Sequence, residues 1–439
     1  MVLLVTFLDK SKLKHIIELQ KAHDAFADHC IPNVSIDDPY FLIFCIKSLH
    51  RYEQSIESKL SDAWLIRLHD SLMKRLERSK TTDSHTKGKG IISPAIKQVD
   101  VTGAYVSVIR GLVNCRVKDA TKKSLHILEN MNKIATLTKT CPTVHIEIKA
   151  SAYDLILRSL RNDRTKESAK QSIVLLNLML DYSQCANDGK IPKPSAQSFE
   201  LCIQCLAANP DSEWVFDKSK NLINAYENLF KSNQCEPSIA VYNSLIQVYA
   251  ITFKNTSDIL SQTLKIFERM KKLAEVFPVL KPDSDTICNI IFACSIAPND
   301  EASDINPLEI ARSMYSQLVD DSIKYEITDR CIYNMMRCTL NHGKNVELEN
   351  EEKDIEEKIV ELFQESCKHG LVSYDILNCF KSAVSTEQYT AIVGRGRLAN
   401  NWIKNVTSKK ALYTDGSMGG AGKNSRRKGK SSTFWKKKK

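Results

Sequence analysis

No stretch of the 439-residue chain reaches the ~18 apolar residues that a membrane-spanning helix requires, so no membrane association is expected. Residues 2–8 are apolar, but no basic residue precedes them and Asp9 follows at once, which argues against a secretory signal. Glycine and proline are scarce, at 14 and 12 residues. That excludes collagen-like and Pro/Gly-rich low-complexity architectures and suits helices joined by short turns. Catalytic signatures are missing as well. The ten histidines form no HExxH, and there is no GxSxG elbow. The segment around Gly422 and Lys423 resembles a phosphate loop only superficially. Ser417 stands where the first glycine belongs, and Asn424 where serine or threonine belongs. The expectation is a non-enzyme with no cofactor, no metal and no small-molecule substrate.

The 14 cysteines show no disulfide spacing, and a chain this long has no need of covalent staples. They read as reduced, packed residues of a reducing intracellular compartment. Cys202 and Cys205 have metal-ligand spacing but no second pair nearby, whereas structural zinc takes four ligands.

What is present is a recurring pair of helical patterns. First helices begin near residues 102, 150, 196, 239, 284 and 327, each carrying a large apolar residue near its start: Tyr105, Tyr153, Phe199, Tyr242 and Ile287 in the first five. Second helices are expected over 120–135, 167–182, 218–231, 259–275, 306–320 and 354–369. Asn306, Pro307 and Glu309 supply a helix-start signal, and Gly370 supplies a stop. A closing helix is expected over 372–384, with another short one over 391–406 through Leu398, Trp402 and Val406. Further helices are expected over 12–29, 39–52 and 62–78. The organisation read from this is helical units at 1–78, a flexible linker at 79–100, a repeat array at 101–385, a cap at 386–407 and a tail at 408–439. The fold class is all-α, a right-handed superhelical solenoid of helix-turn-helix repeats.

The net charge is +10, yet nine positive charges and no acid lie beyond residue 420, which leaves +1 for the rest. Arg426, Arg427, Lys428, Lys430 and Lys436, with Trp435 among them, are suited to grip phosphates and stack a base. Nuclear import and simple solubilisation are competing uses of such a tail.

The best unit reads Val241–Ile246 in its first helix, Ile266–Met270 in its second and Lys281-Pro282-Asp283 at its close. Weaker echoes occur at residues 151–154, 192–195, 198–200 and 323–326. This pattern resembles the pentatricopeptide repeat family, in particular the repeat region of protein-only RNase P. The resemblance implies single-stranded RNA as partner, one base per repeat. It also implies pairs of base-contacting residues: Asn243 with Asp283, Glu200 with Ser238, Asp154 with Ser195, and Cys288 with Glu326. The nuclease half of that enzyme needs clustered aspartates, and residues 371–439 hold only Asp375 and Asp415. The function expected is therefore non-catalytic RNA binding in RNA processing, stability or translation. A protein-binding scaffold of similar helix pairs is the competing reading. The organelle and the nucleus both remain open as locations.

Overall fold

The computed structural model describes residues 99–394 with short breaks at 115–118, 138–143, 147, 185–191, 255, 299–304, 320–325 and 344–348, together with residues 66, 69, 70 and 73. The helices expected over 12–29 and 39–52, nearly all of the one over 62–78, the 79–98 linker and everything beyond 394 lie outside the described residues.

The described chain is helical, apart from a two-residue parallel pairing of β1 (Val99–Asp100) with β2 (Val144–His145). It divides into two compact units, with the division falling after Asn289. In the first unit the helices are α1 (Thr102–Asn114), α2 (Ala120–Leu137), α3 (Ala150–Asp163), α4 (Lys166–Gln184), α5 (Ala196–Leu206), α6 (Ser212–Lys231), α7 (Ile239–Thr252) and α8 (Asp258–Ala274). Helix α9 (Ser284–Ile296) carries the boundary. The second unit continues with α10 (Pro307–Val319), α11 (Asp329–His342), α12 (Glu349–Lys368), α13 (Tyr374–Ala383) and α14 (Thr386–Val393).

Within the first unit, α1, α3, α5 and α7 pack one on the next, and α2, α4 and α6 each touch both the first helix of their own pair and that of the following pair. Tyr105, Tyr153, Phe199 and Tyr242 are all buried at the starts of these first helices, as is Ile287 in α9. Burying such large apolar side chains is the main driving force for pairing. The rings also meet: Tyr226 of α6 lies 5.2 Å from Phe199, 5.1 Å from Phe230 and 6.3 Å from Tyr242, centroid to centroid. In the second unit, α11 packs on α10, α12 and α13, and Phe363 stacks on Phe380 at 4.1 Å.

Caps explain where helices start. Asp211 accepts from the Trp214 backbone and starts α6 at Ser212, six residues before the expected 218. The apolar periodicity over 218–231 had masked that first turn. Asn306 accepts from the Leu308 and Glu309 amides, so α10 begins at the expected place. Gly370, at φ 65°, closes α12 as its backbone turns left-handed. Helix α14 departs from expectation. It occupies Thr386–Val393, started by Ser385 accepting from the Gln388 amide, whereas the expected helix lay further on, and its Leu398, Trp402 and Val406 fall outside the described residues. Among the described residues no helix is long and apolar enough to cross a membrane.

Candidate nucleic-acid interface

Two junctions between successive first helices of the first unit share one construction. In the first, Asp154 of α3 reaches the start of α5. The Ser198 hydroxyl donates to its Oδ1 at 2.5 Å and the Ser195 hydroxyl to its Oδ2 at 3.3 Å. Ser195 is the N-cap of α5 and accepts from the Ser198 backbone, while Ser198 accepts from the Ser195 backbone. In the second, Asn243 of α7 reaches the start of α9. Its Nδ2 donates to Asp283 Oδ1 at 3.1 Å, and its Oδ1 lies 2.7 Å from the Thr286 hydroxyl. Asp283 and Thr286 repeat the reciprocal cap, with Asp283 accepting from the Thr286 amide at 2.8 Å. Asn289 then donates to the Asn243 backbone carbonyl at 3.2 Å.

The two junctions differ in what they leave open. Asp154 is only 6% exposed, and both its oxygens are taken. Burial raises its pKa, against the opposing pull of the Ser198 and Ser195 hydrogen bonds and of Arg158. Its side chain closes the junction and presents no edge to a ligand. Asn243 and Asp283 are half-buried. A carboxamide has two N–H groups and two lone pairs, so after its bonds to Asp283 and Thr286 Asn243 retains one of each.

The expected pair Glu200 and Ser238 is not joined in this way. Glu200 accepts from Gln204 Nε2 at 3.0 Å, and no hydrogen bond links it to Ser238. Ser238 precedes α7 without a side-chain cap, and its backbone N–H donates to the Tyr226 hydroxyl at 2.6 Å. Cys288 is buried and Glu326 is exposed. The basic tail residues Arg426, Arg427, Lys428, Lys430, Trp435 and Lys436 lie outside the described residues.

Sequence reasoning passed over several residues of this face. Ser198 and Thr286 complete the junctions, and the signal was their position three residues after a cap. Gln204 links three first helices, accepting from Arg161 at 2.9 Å and donating to Ser244 at 2.9 Å as well as to Glu200. In the second unit, Phe292, Arg330, Tyr333 and Arg337 form an arginine–aromatic group on the first helices. The spacing of the last three, at i, i+3 and i+7, was its available sign.

The cysteine pair is part of the core. Cys202 and Cys205 are buried, and burial pushes the Cys205 thiol up to about 12 and that of Cys202 further still. Thiols so held are poor nucleophiles and poor metal ligands. Among the described residues no group of three or more His, Cys, Asp or Glu side chains could hold a metal ion. Compared with known proteins, the chain matches no protein-family model and no curated sequence.

Proposed function

We propose that this chain is a non-catalytic RNA-binding protein of pentatricopeptide-like helix pairs, acting in RNA processing, stability or translation. In this reading the pairs coil into a right-handed solenoid, and their first helices face a single strand of RNA. The observation that carries it is the Asn243 junction. Asp283 and Thr286 hold the carboxamide in one orientation while leaving it a free N–H and a free lone pair. A fixed donor–acceptor pair on a half-buried face suits the edge of an unpaired base. Orienting it in advance lowers the ordering cost of binding.

The competing reading is a protein-binding scaffold. It is favoured by the charge of only +1 over residues 1–420. The discriminating experiment uses the full-length chain with Arg426, Arg427, Lys428, Lys430 and Lys436–439 changed to glutamine, titrated with a random pool of single-stranded RNA across a salt series. The RNA reading expects binding that persists at ~150 mM salt, where contacts to phosphate alone weaken steeply. It also expects a roughly tenfold loss on Asn243→Ala, the size of one or two hydrogen bonds. Loss of all binding with the tail charges would remove RNA reading from the repeats and leave the scaffold.

A further inference from the structure

In the second unit, three first-helix elements bring an unusual set of side chains together. Arg330 of α11 places its guanidinium carbon 5.6 Å from the centroid of the Phe292 ring on α9. Two turns on, Arg337 lies 5.7 Å from the ring centroid of Tyr333. Arg330, Tyr333 and Arg337 fall at i, i+3 and i+7 of α11, so they share one face. The backbone positions of Arg330 and Arg337 are about 10 Å apart along the helix axis. Asp375 is exposed in the first turn of α13, which packs on α11, and its charge is felt at Tyr333. Among the described residues of this region, Asp329, next to Arg330, and Asp375 set two carboxylates against the two guanidinium groups.

The core does not require this set. Arg330 is exposed, while Phe292, Tyr333 and Arg337 are half-buried. Neither guanidinium has a salt-bridge partner among the described residues. An arginine laid over a ring keeps its other face for a further planar group and its N–H edge for an anion. Because the two carboxylates balance the two arginines, attraction to phosphate is not the main source of affinity here. Stacking is. A carboxylate beside a stacked base accepts hydrogen bonds only, and therefore favours bases that carry an exocyclic amino group.

The geometry points to a base-stacking subsite on the second unit. Unpaired bases of single-stranded RNA stack on the Arg330–Phe292 and Arg337–Tyr333 pairs, and Asp375 favours adenine and cytosine over uracil. This inference rests on the RNA-binding reading above and adds a location and a base preference that the Asn243 junction does not supply.

The test measures binding of the full chain to fluorescent twelve-nucleotide oligo(A), oligo(C) and oligo(U) at ~150 mM salt. Oligo(A) and oligo(C) are expected to bind more tightly than oligo(U). Arg337→Gln and Tyr333→Leu should each weaken oligo(A) and oligo(C) about tenfold, within the range for loss of one stacked base. Tyr333→Phe, which keeps the ring, should retain binding. Asp375→Ala should erase the preference over oligo(U) while leaving oligo(U) affinity unchanged. Thermal melting of each variant checks the fold. If Tyr333→Leu melts early, the surface change Arg337→Gln decides. RNA binding that none of these substitutions alters would overturn the subsite and leave the RNA reading standing. Failure of the wild-type chain to bind any of the three oligonucleotides would overturn both.

Discussion

Arg269 of α8 donates to Glu227 of α6 at 2.6 Å, although the whole of α7 lies between them in sequence. Glu227 is 5% exposed and also takes hydrogen bonds from Lys231 at 2.9 Å and from the Tyr242 hydroxyl at 3.0 Å. Three donors on one buried carboxylate tie consecutive helices of the first unit together.

That arrangement sets an acid limit on stability. Burial alone would raise the Glu227 pKa, but the hydrogen bonds from Arg269, Lys231 and Tyr242 outweigh it and hold the carboxyl below its usual 4.5. A depressed carboxyl contributes stability that is present above the unfolded value and lost as pH falls through the folded one. Urea unfolding below about pH 4.5 should therefore show falling stability, with that share of the fall absent in Glu227→Gln. At pH 7, Arg269→Met should cost about 1–3 kcal/mol by leaving the buried carboxylate short of a donor. A loss below 0.5 kcal/mol would show that Lys231 and Tyr242 suffice.

Asp154 has the opposite sign. Its folded pKa lies above the unfolded 3.8 because burial penalises the charge. The folded state thus holds its proton longer, and stability is lost as pH rises from about 3.8 to the folded value. Asparagine, the residue that Asn243 supplies at the matching junction, can accept from Ser198 and donate to Ser195 without a charge. Asp154→Asn is expected to keep pH 7 stability within about 1 kcal/mol of wild type, or to raise it, since it removes a buried charge at the cost of rearranging one hydrogen bond. Asp154→Leu should cost several times more. Equal losses in a chemical denaturation series would refute the account.

In the second unit, His342 is 5% exposed and its Nε2 lies 2.9 Å from the Cys294 carbonyl, which makes that nitrogen the donor. Burial lowers its pKa below 6.5, and the hydrogen bond to Cys294 only partly offsets this. A buried neutral histidine contributes stability that is lost as pH falls below the unfolded value. Melting followed by near-ultraviolet circular dichroism should drop between pH 7 and pH 5, and His342→Gln should flatten that dependence. An unchanged slope in the variant would place the titrating group elsewhere.

Much of the helical pattern is legible in the sequence alone. The starts at 102, 150, 196, 239 and 284 coincide with observed helices, because each places a buried large residue one turn in. Helix α14 was not legible, since eight residues with no buried side chain leave little periodic signal. The site was read less well. Asp154 and Asn243 occupy matching places in sequence, yet one is enclosed and the other half-open. The difference lies in the tertiary packing around each junction, which no spacing along the chain encodes. Arg330, Tyr333 and Arg337 show their shared face in their spacing, but the pairing of Arg330 with Phe292 joins two different helices and leaves no mark in local sequence.

The junctions also determine where the chain can change length. Asp154 meets Ser195, and Asn243 meets Asp283, so each clasp closes a loop that contains an entire second helix. Closing a loop costs free energy that grows only with the logarithm of its length, about 0.6 kcal/mol for each doubling. A few residues added beyond a second helix therefore barely alter that cost, while the clasp keeps the two first helices in register. Insertions and deletions can accumulate on the second-helix side without shifting the face that carries Asn243, and the uneven spacing of the helix pairs along the sequence is what such tolerance would produce.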